Sequence, residues 1–338
     1  MKTILITGGL GYIGSHTAIE LINSGINVII ADNLSNSEEA VLDRIFQITG
    51  IRPDFYKINV CNLDELNKIH ANIDGVIHFA AYKSVNESVE KPLEYYANNI
   101  NSLISILEFC KIKKIKSLVF SSSCTVYGQS EKLPITESDP FRKAWSPYGH
   151  TKQICEEIIQ NYILSKPEMR IISLRYFNPA GAHESGLIGE LPQGIPNNLL
   201  PYITQTAFGI REKINVFGSD YNTPDGTPIR DYIHVTDLAI AHIKAFEYSE
   251  KMENNSVEIF NIGSGNGYSV LEVIKSFEKV NNIKLPYSIV GRRAGDIEKI
   301  WADTSKAENI LKFKPMRTLD DINRSAYNWE KHYRENLK

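Results

Sequence analysis

Tyr148 and Lys152 stand four residues apart in the run Ser146-Pro147-Tyr148-Gly149-His150-Thr151-Lys152. On a helix that spacing puts a phenol and an ammonium on one face. A cation beside a phenol favours phenolate and turns a poor base into a usable one. Bringing a tyrosine from its reference pKa of about 10 to near 7 takes roughly 4 kcal/mol. One charge at about 4 Å, at an effective dielectric of about 20, supplies energy of that order, so a single lysine is expected to be enough. The same spacing recurs at Tyr162/Lys166 and Tyr327/Lys331. What separates the three pairs must come from the elements around them.

Those elements begin at the N-terminus. Thr3 to Thr7 reads as a short apolar strand that runs into Gly8-Gly9-Leu10-Gly11-Tyr12-Ile13-Gly14 and then a helix from about Ser15 to Asn23. Glycines at 9, 11 and 14 satisfy G-x-G-x-x-G, and those at 8, 11 and 14 satisfy G-x-x-G-x-x-G. Either pattern gives a tight turn that lets a pyrophosphate approach the helix N-terminus. The next strand, Asn27 to Ala31, ends at Asp32, eighteen residues past Gly14. An acid there can bond the adenosine ribose hydroxyls and repels a 2′-phosphate. No arginine stands in Asn33-Leu34-Ser35-Asn36, so the expected dinucleotide is NAD.

Alternation continues: strand Asp54–Ile58, a short helix near Leu63–Ile69, strand Gly75–Phe79, a helix from Pro92 to Lys113 and strand Lys116–Phe120. After the Tyr148 helix comes a strand from Arg170 to Arg175. Apolar strands alternating with amphipathic helices, without hairpin signals, predict an α/β fold with a doubly wound parallel Rossmann sheet. Ligands collect at the carboxyl ends of such strands. Ser123 is expected just past the end of its strand, with Tyr148 opening the next helix on that same side. Tyr162 lies about 21 Å further along the helix axis and points away. Only Tyr148 is placed to reach both Ser123 and a cofactor.

Past Asn178 the alternation lapses. Residues 183–230 are rich in Gly, Pro and Asn and read as a lid, with a helix beginning within Gly194–Tyr202. An amphipathic helix to about Glu247 and a strand Glu258–Gly263 are expected to rejoin the first domain. The boundaries are then a cofactor domain of residues 1–178, joined by about 230–265, and a smaller α/β substrate-binding domain of 179–338.

The bulk numbers are those of a soluble globular protein: 338 residues, 42% hydrophobic, 23% charged, net charge -3. That balance gives no electrostatic footprint for nucleic acid and no polybasic run for a membrane surface. The N-terminal apolar stretch is too short for a signal peptide. Cys61, Cys110, Cys124 and Cys155 have no metal-ligand spacing and read as reduced thiols of a cytoplasmic protein, and no metal is expected. His234 has no partner of ligand spacing either and is taken as structural.

Ser123, Tyr148 and Lys152 following Gly8-x-x-Gly11-x-x-Gly14 resemble the extended short-chain dehydrogenase/reductase superfamily. Phe79-Ala80-Ala81-Tyr82-Lys83-Ser84-Val85-Asn86-Glu87-Ser88, Ser121-Ser122-Ser123-Cys124-Thr125-Val126-Tyr127-Gly128 and Arg175-Tyr176-Phe177-Asn178-Pro179-Ala180-Gly181-Ala182-His183 look like the UDP-glucose 4-epimerase family, over essentially the whole chain. The resemblance implies C4 epimerisation of a UDP-hexose through a 4-keto intermediate. Ser123, Tyr148 and Lys152 would be its catalytic set. It places NAD against Gly8, Gly11, Tyr12, Ile13 and Gly14, against Asp32, Asn33, Asn59 and Val60, and against Phe79, Ala80, Ala81 and Lys83. Asn98, Ser121, Tyr148, Lys152 and Tyr176 complete that cofactor set. The substrate would meet Lys83, Ser123, Tyr148, Phe177 and Asn178. Asn198, Leu199, Val216 and Phe217 are placed near its uracil nucleotide, and Arg230, Arg293 and Asp296 near its diphosphate and ribose.

The family also implies a homodimer, with faces on Ser102–Lys113 and Tyr148–Leu164, although periodicity does not separate such an interface from ordinary core. Two positions depart from its pattern. Asn59 replaces the usual aspartate beside adenine, and Ile300 is bulky at a position tied to sugar-pocket size, which argues against N-acetylated sugars. A nucleotide-sugar 4,6-dehydratase shares the oxidation step but carries an Asp-Glu pair where this chain has Cys124 and Thr125. A UDP-glucuronate decarboxylase would tend to place Glu at Thr125. A non-catalytic sensor of NAD and nucleotide sugar would not need the Ser-Tyr-Lys set.

Overall fold

The first strand, β1 (Thr3–Thr7), is apolar on both faces because both are covered. Ile4 and Ile6 pack with Ile19 and Phe246, and Leu5 packs into a second core with Leu103 and Phe109. The computed structural model describes residues 1–130, 132–293 and 296–337.

From β1 the chain passes through the glycine turn into α1 (Tyr12–Asn23), β2 (Asn27–Asp32), α2 (Val41–Thr49), β3 (Asp54–Lys57) and the single turn α3 (Leu63–Leu66). Next come β4 (Gly75–His78), α4 (Val85–Glu90), α5 (Pro92–Lys113), β5 (Ser117–Ser123), α6 (Pro147–Leu164) and β6 (Arg170–Tyr176). The less regular part holds β7 (Asn178–Ala180), α7 (Leu199–Ala207), β8 (Ile214–Phe217), β9 (Ile229–Arg230) and β10 (Tyr232–His234). It is followed by α8 (Val235–Ser249), β11 (Ser256–Ile262), β12 (Tyr268–Ser269), α9 (Val270–Asn281), β13 (Tyr287–Val290), β14 (Lys299–Ile300) and α10 (Leu319–His332).

Seven strands form one sheet in the order β11-β6-β5-β4-β1-β2-β3, every neighbouring pair parallel. The connections run outward from β1 to one side and from β4 to the other, so the crevice of a doubly wound sheet opens at the carboxyl ends of these two strands. Helices α1 and α8 cover one face, α5 and α6 the other. A third core, with Ile203, Val216, Phe277 and Ile322, joins α7, β8, α9 and α10 on the far side of the crevice.

Several elements differ from the sequence expectation. β5 runs on through Ser123, which pairs with Tyr176 of β6, so the serine is the last residue of the strand rather than the first beyond it. α1 begins at Tyr12, with Gly14 in its first turn, where an added Cβ would lie 2.3 Å from the Gly8 carbonyl oxygen. α3 stops at Leu66, short of Ile69. α4 was not foreseen: Ser84 caps it by accepting from the Glu87 N–H, and Pro92 then starts α5 at once. Within residues 183–230, read as loops and short elements, β8 is one such element and pairs in parallel with β13. His234 accepts from the Thr236 N–H at the start of α8, a structural role.

Candidate active site

The cofactor end is built from backbone. Gly8 has φ of +67°, and a Cβ there would come within 2.9 Å of the Ala80 nitrogen, so the turn packs directly on the chain leaving β4. Gly11 precedes α1 without a capping side chain. The N–H groups of Tyr12, Ile13 and Gly14 therefore have no acceptor within the helix and face the crevice as an anion seat. Asp32 closes β2, its carboxylate accepting from the Leu10 N–H at 3.0 Å, the Leu34 N–H at 2.9 Å and the Ser37 hydroxyl at 2.9 Å. A glycine cradle that any Cβ would fill, with an anchored acid at the next strand end, fits NAD.

Of the other residues assigned to that cofactor, Phe79, Ala80 and Ala81 leave β4 beside Gly8, and Lys83 follows them. Asn33 and Asn59 spend their side-chain oxygens on local turns, accepting from the Ser35 and Cys61 N–H groups at 3.0 Å. Asn98 donates to Asn99, and Val60 is buried in the core rather than open to the crevice. Tyr176 bonds His242, whose ring lies 4.7 Å from that of Phe79.

Ser123, Tyr148 and Lys152 meet at the carboxyl end of β5. Ser146 caps α6, accepting from the Gly149 N–H at 3.1 Å, with Pro147 as the first helical residue. Gly149 lets the helix press against the 3-10 turn Cys124–Tyr127: a Cβ would stand 3.3 Å from the Thr125 side chain. The Lys152 ammonium donates to the Ser121 carbonyl at 2.6 Å and lies 5.9 Å from the centre of the Tyr148 ring. One turn further, Glu156 accepts from the Arg175 guanidinium and from Ser122, locking α6 to β5 and β6. Tyr148, Lys152 and Glu156 are thus one stripe at i, i+4, i+8, and the third member was legible but overlooked.

The expected electrostatics are not met. Burial pushes the Tyr148 phenol up to about 12, against a smaller downward pull from the Ser123 hydroxyl. Burial also drives Lys152 down to about 8. Spacing along a helix gives the distance between two charges but says nothing of their desolvation, which dominates here. The decoy pairs fall away on geometry. The Tyr162 hydroxyl is buried among the Leu107 and Ile159 core with no partner among the described residues, and Tyr327 stacks on Phe208 in the third core.

Across the crevice, Asn178 begins β7, its N–H donating to the Asp231 carbonyl at 2.9 Å. Asn198 immediately precedes Leu199, the first residue of α7, and its side chain donates to Glu190 at 2.8 Å rather than capping the helix. Phe177 is buried with Val126, Tyr127 and Ile300. The uracil pair must be corrected: β8 alternates, so Val216 is fully buried while Phe217 is 40% exposed, and only the phenylalanine is free to meet a base. Arg230 pairs with Asp296, and also donates to the Ile297 and Ile229 carbonyls at 2.7 and 2.8 Å. Arg293 is near this pair in sequence, and its neighbours Ala294 and Gly295 lie outside the described residues. Glu190, unforeseen, bonds both Asn198 and Lys83. It had no local sequence signal. Among the described residues no group of His, Cys, Asp or Glu is placed to hold a metal ion, and no helix is long and apolar enough to cross a membrane.

Known proteins are similar to this chain over nearly its whole length. Residues 4–263 match the NAD dependent epimerase/dehydratase family. A UDP-glucose 4-epimerase of Pasteurella multocida is 49% identical over 330 residues, 97% of either chain. The crystal structure of the UDP-glucose-4-epimerase of Stenotrophomonas maltophila, with bound NAD and formylated UDP-arabinopyranose, superposes with a TM-score of 0.96 at 42% identity over 99% of both chains. That of Bifidobacterium longum, in complex with NAD+ and UDP, gives 0.94 at 46% identity, again over 99% of both. A glycine cradle, a strand-end acid and a Ser-Tyr-Lys set at the carboxyl edge of one sheet, matched along nearly the full length by such relatives, make this chain a member of the UDP-glucose 4-epimerase family.

Proposed function

We propose that this protein interconverts UDP-glucose and UDP-galactose by oxidising C4 of the sugar and reducing it again on the opposite face. The observation that carries the reading is the convergence of Ser123, Tyr148 and Lys152 at the carboxyl end of β5, on the same edge of the parallel sheet as the glycine turn. NAD, when bound, supplies a reversible hydride acceptor and, in its oxidised form, a positive charge that favours phenolate. Tyr148 takes the proton of the C4 hydroxyl as the C4 hydrogen leaves with its electron pair, and Ser123 bonds the sugar oxygen as the carbonyl forms. Lys152, held by Ser121, sits under the phenol and steadies its charge. Arg230, Arg293, Asn178, Asn198, Phe217 and Asp296 hold the UDP moiety while the 4-keto sugar turns about its link to the diphosphate. Tyr148 then returns the proton as C4 is reduced from its other side.

A 4,6-dehydratase would need an acid and a base at positions 124 and 125. Burial pushes the Cys124 thiol up to about 12, and Thr125 offers only a hydroxyl. Ile300 is buried against Phe177 and supports a compact sugar pocket that discriminates against N-acetylated substrates. Two copies associate through α5 and α6, adjacent helices that leave Ile104, Ile112 and Leu164 exposed. The free thiols suit a reducing compartment, the cytoplasm. Incubating the purified protein with UDP-galactose and no added cofactor tests the reading. UDP-glucose should accumulate to equilibrium, with UDP-N-acetylglucosamine turned over far more slowly. Release of a keto-sugar would point to the dehydratase, and binding without turnover to a sensor.

A further inference from the structure

One carboxylate oxygen ties the two sides of the crevice together. Glu190 Oε1 accepts from Lys83 Nζ at 3.0 Å, on the cofactor side, and from Asn198 Nδ2 at 2.8 Å, on the substrate side. The same two segments touch again where Asn197 donates to the Ser84 hydroxyl at 3.2 Å and Asn86 donates to Asn197 at 3.3 Å. Glu190 itself is firmly seated. Its backbone carbonyl accepts from the Trp329 indole at 3.0 Å, and its side chain is only 11% exposed. Gly189 bridges to Ala182 just past β7, and a Cβ on it would stand 2.3 Å from the Trp329 ring.

A carboxylate shared by one ammonium and one amide is a poor stabiliser if its only purpose is an ion pair, since the Lys83 side chain is 47% exposed. It is well suited to fixing two donors relative to each other. Left alone, Asn198 has two amide orientations and Lys83 four rotatable bonds; bonded to one anchored oxygen, both aim from a fixed point.

The geometry points to Glu190 as a positioning residue for the reaction: it aligns Asn198 with Lys83 so that the nucleotide sugar is gripped in register with the cofactor, and it acts through hydrogen-bond geometry rather than charge. This rests on the proposed epimerase reading. Steady-state kinetics with UDP-galactose, and calorimetric titration of the NAD-loaded proteins with UDP alone, test it on three variants. Glu190→Ala, which removes the acceptor, should raise KM and the UDP dissociation constant about tenfold, with kcat changed less than about threefold. Glu190→Asp keeps the charge but withdraws the oxygen by one methylene, and should weaken binding nearly as much. Glu190→Gln loses the charge but keeps an acceptor at the same reach, and should recover most of the affinity. Should Glu190→Ala fail to fold, the Asp and Gln pair alone decides. Tight binding by Asp with weak binding by Gln would overturn the geometric role, as would unchanged affinity in all variants or a loss confined to kcat. If the unsubstituted protein fails to epimerise, the reaction assignment fails, and the UDP titration still reads the role of Glu190.

Discussion

At the carboxyl end of the sheet the groups proposed to react are held by partners that have no reason to move. Lys152 donates to a strand carbonyl, Glu156 and Arg175 bolt α6 to β5 and β6, and Ser123 is itself part of the β5 ladder. The groups proposed to recognise the nucleotide are held by one another: Arg230 by Asp296, and Asn198, with Lys83 of the cofactor side, by Glu190. A ligand arriving at the first region meets groups fixed by the sheet, whereas at the second it meets donors already aimed by neighbouring carboxylates. The difference suits a reaction in which a sugar turns over while its nucleotide stays gripped. Chemistry calls for geometry fixed in advance, and recognition calls for contacts whose free state is already satisfied.

Substitutions can separate the two regions. The largest effect belongs to Tyr148→Phe, which should lower kcat by about 10²–10⁴-fold. Retained NAD and UDP affinity should stay unchanged, as read by cofactor content and calorimetry. Near-normal turnover by a folded, NAD-loaded variant would mean that the placed groups are not the reacting ones. Arg230→Lys should do the reverse. Without the planar fork that can engage Asp296 or a diphosphate, KM for UDP-galactose should rise about tenfold, while kcat changes by less than about threefold.

The smallest effect concerns stability. Lys152 titrates near pH 8 in the folded chain against 10.5 when solvated. Between those values the unfolded chain holds a proton that the folded chain lacks, so this group's contribution to stability rises with pH. In the cofactor-free protein, Lys152→Met should therefore stabilise at pH 7 by about 1–2 kcal/mol. That is a desolvation relief of about 3 kcal/mol less the cost of leaving the Ser121 carbonyl without its donor. Urea melts should show the gain shrinking as pH climbs toward 10.5. A constant gain across that range would mean that the lysine is not discharged on folding.

The same division decided what could be read from the residues alone. An apolar run, three spaced glycines and an acid at the next strand end are local patterns, and β1, the Gly8–Gly14 turn and Asp32 stand as expected. The stripe of Tyr148 and Lys152 is likewise local. Its electrostatics were not, because burial depends on Phe120, Tyr176 and the surrounding elements rather than on spacing. Val216 was recoverable. Ile214 and Val216 alternate with Asn215 and Phe217, and a period of two already assigns the valine to the core. Glu190 was beyond reach, because Lys83 lies 107 residues away and nothing near Glu190 announces the partnership.

The far edge of the sheet has a consequence for how the protein is made. β6, which carries Tyr176 beside Ser123, is flanked on its other side only by β11, a strand that ends at Ile262. A nascent chain that had emerged only as far as Asn178 would present β6 as a bare seven-residue edge, open to any other extended polypeptide. Translation must therefore run on past Ile262 before β6 is enclosed, and until then its open edge is a hazard for pairing with other chains.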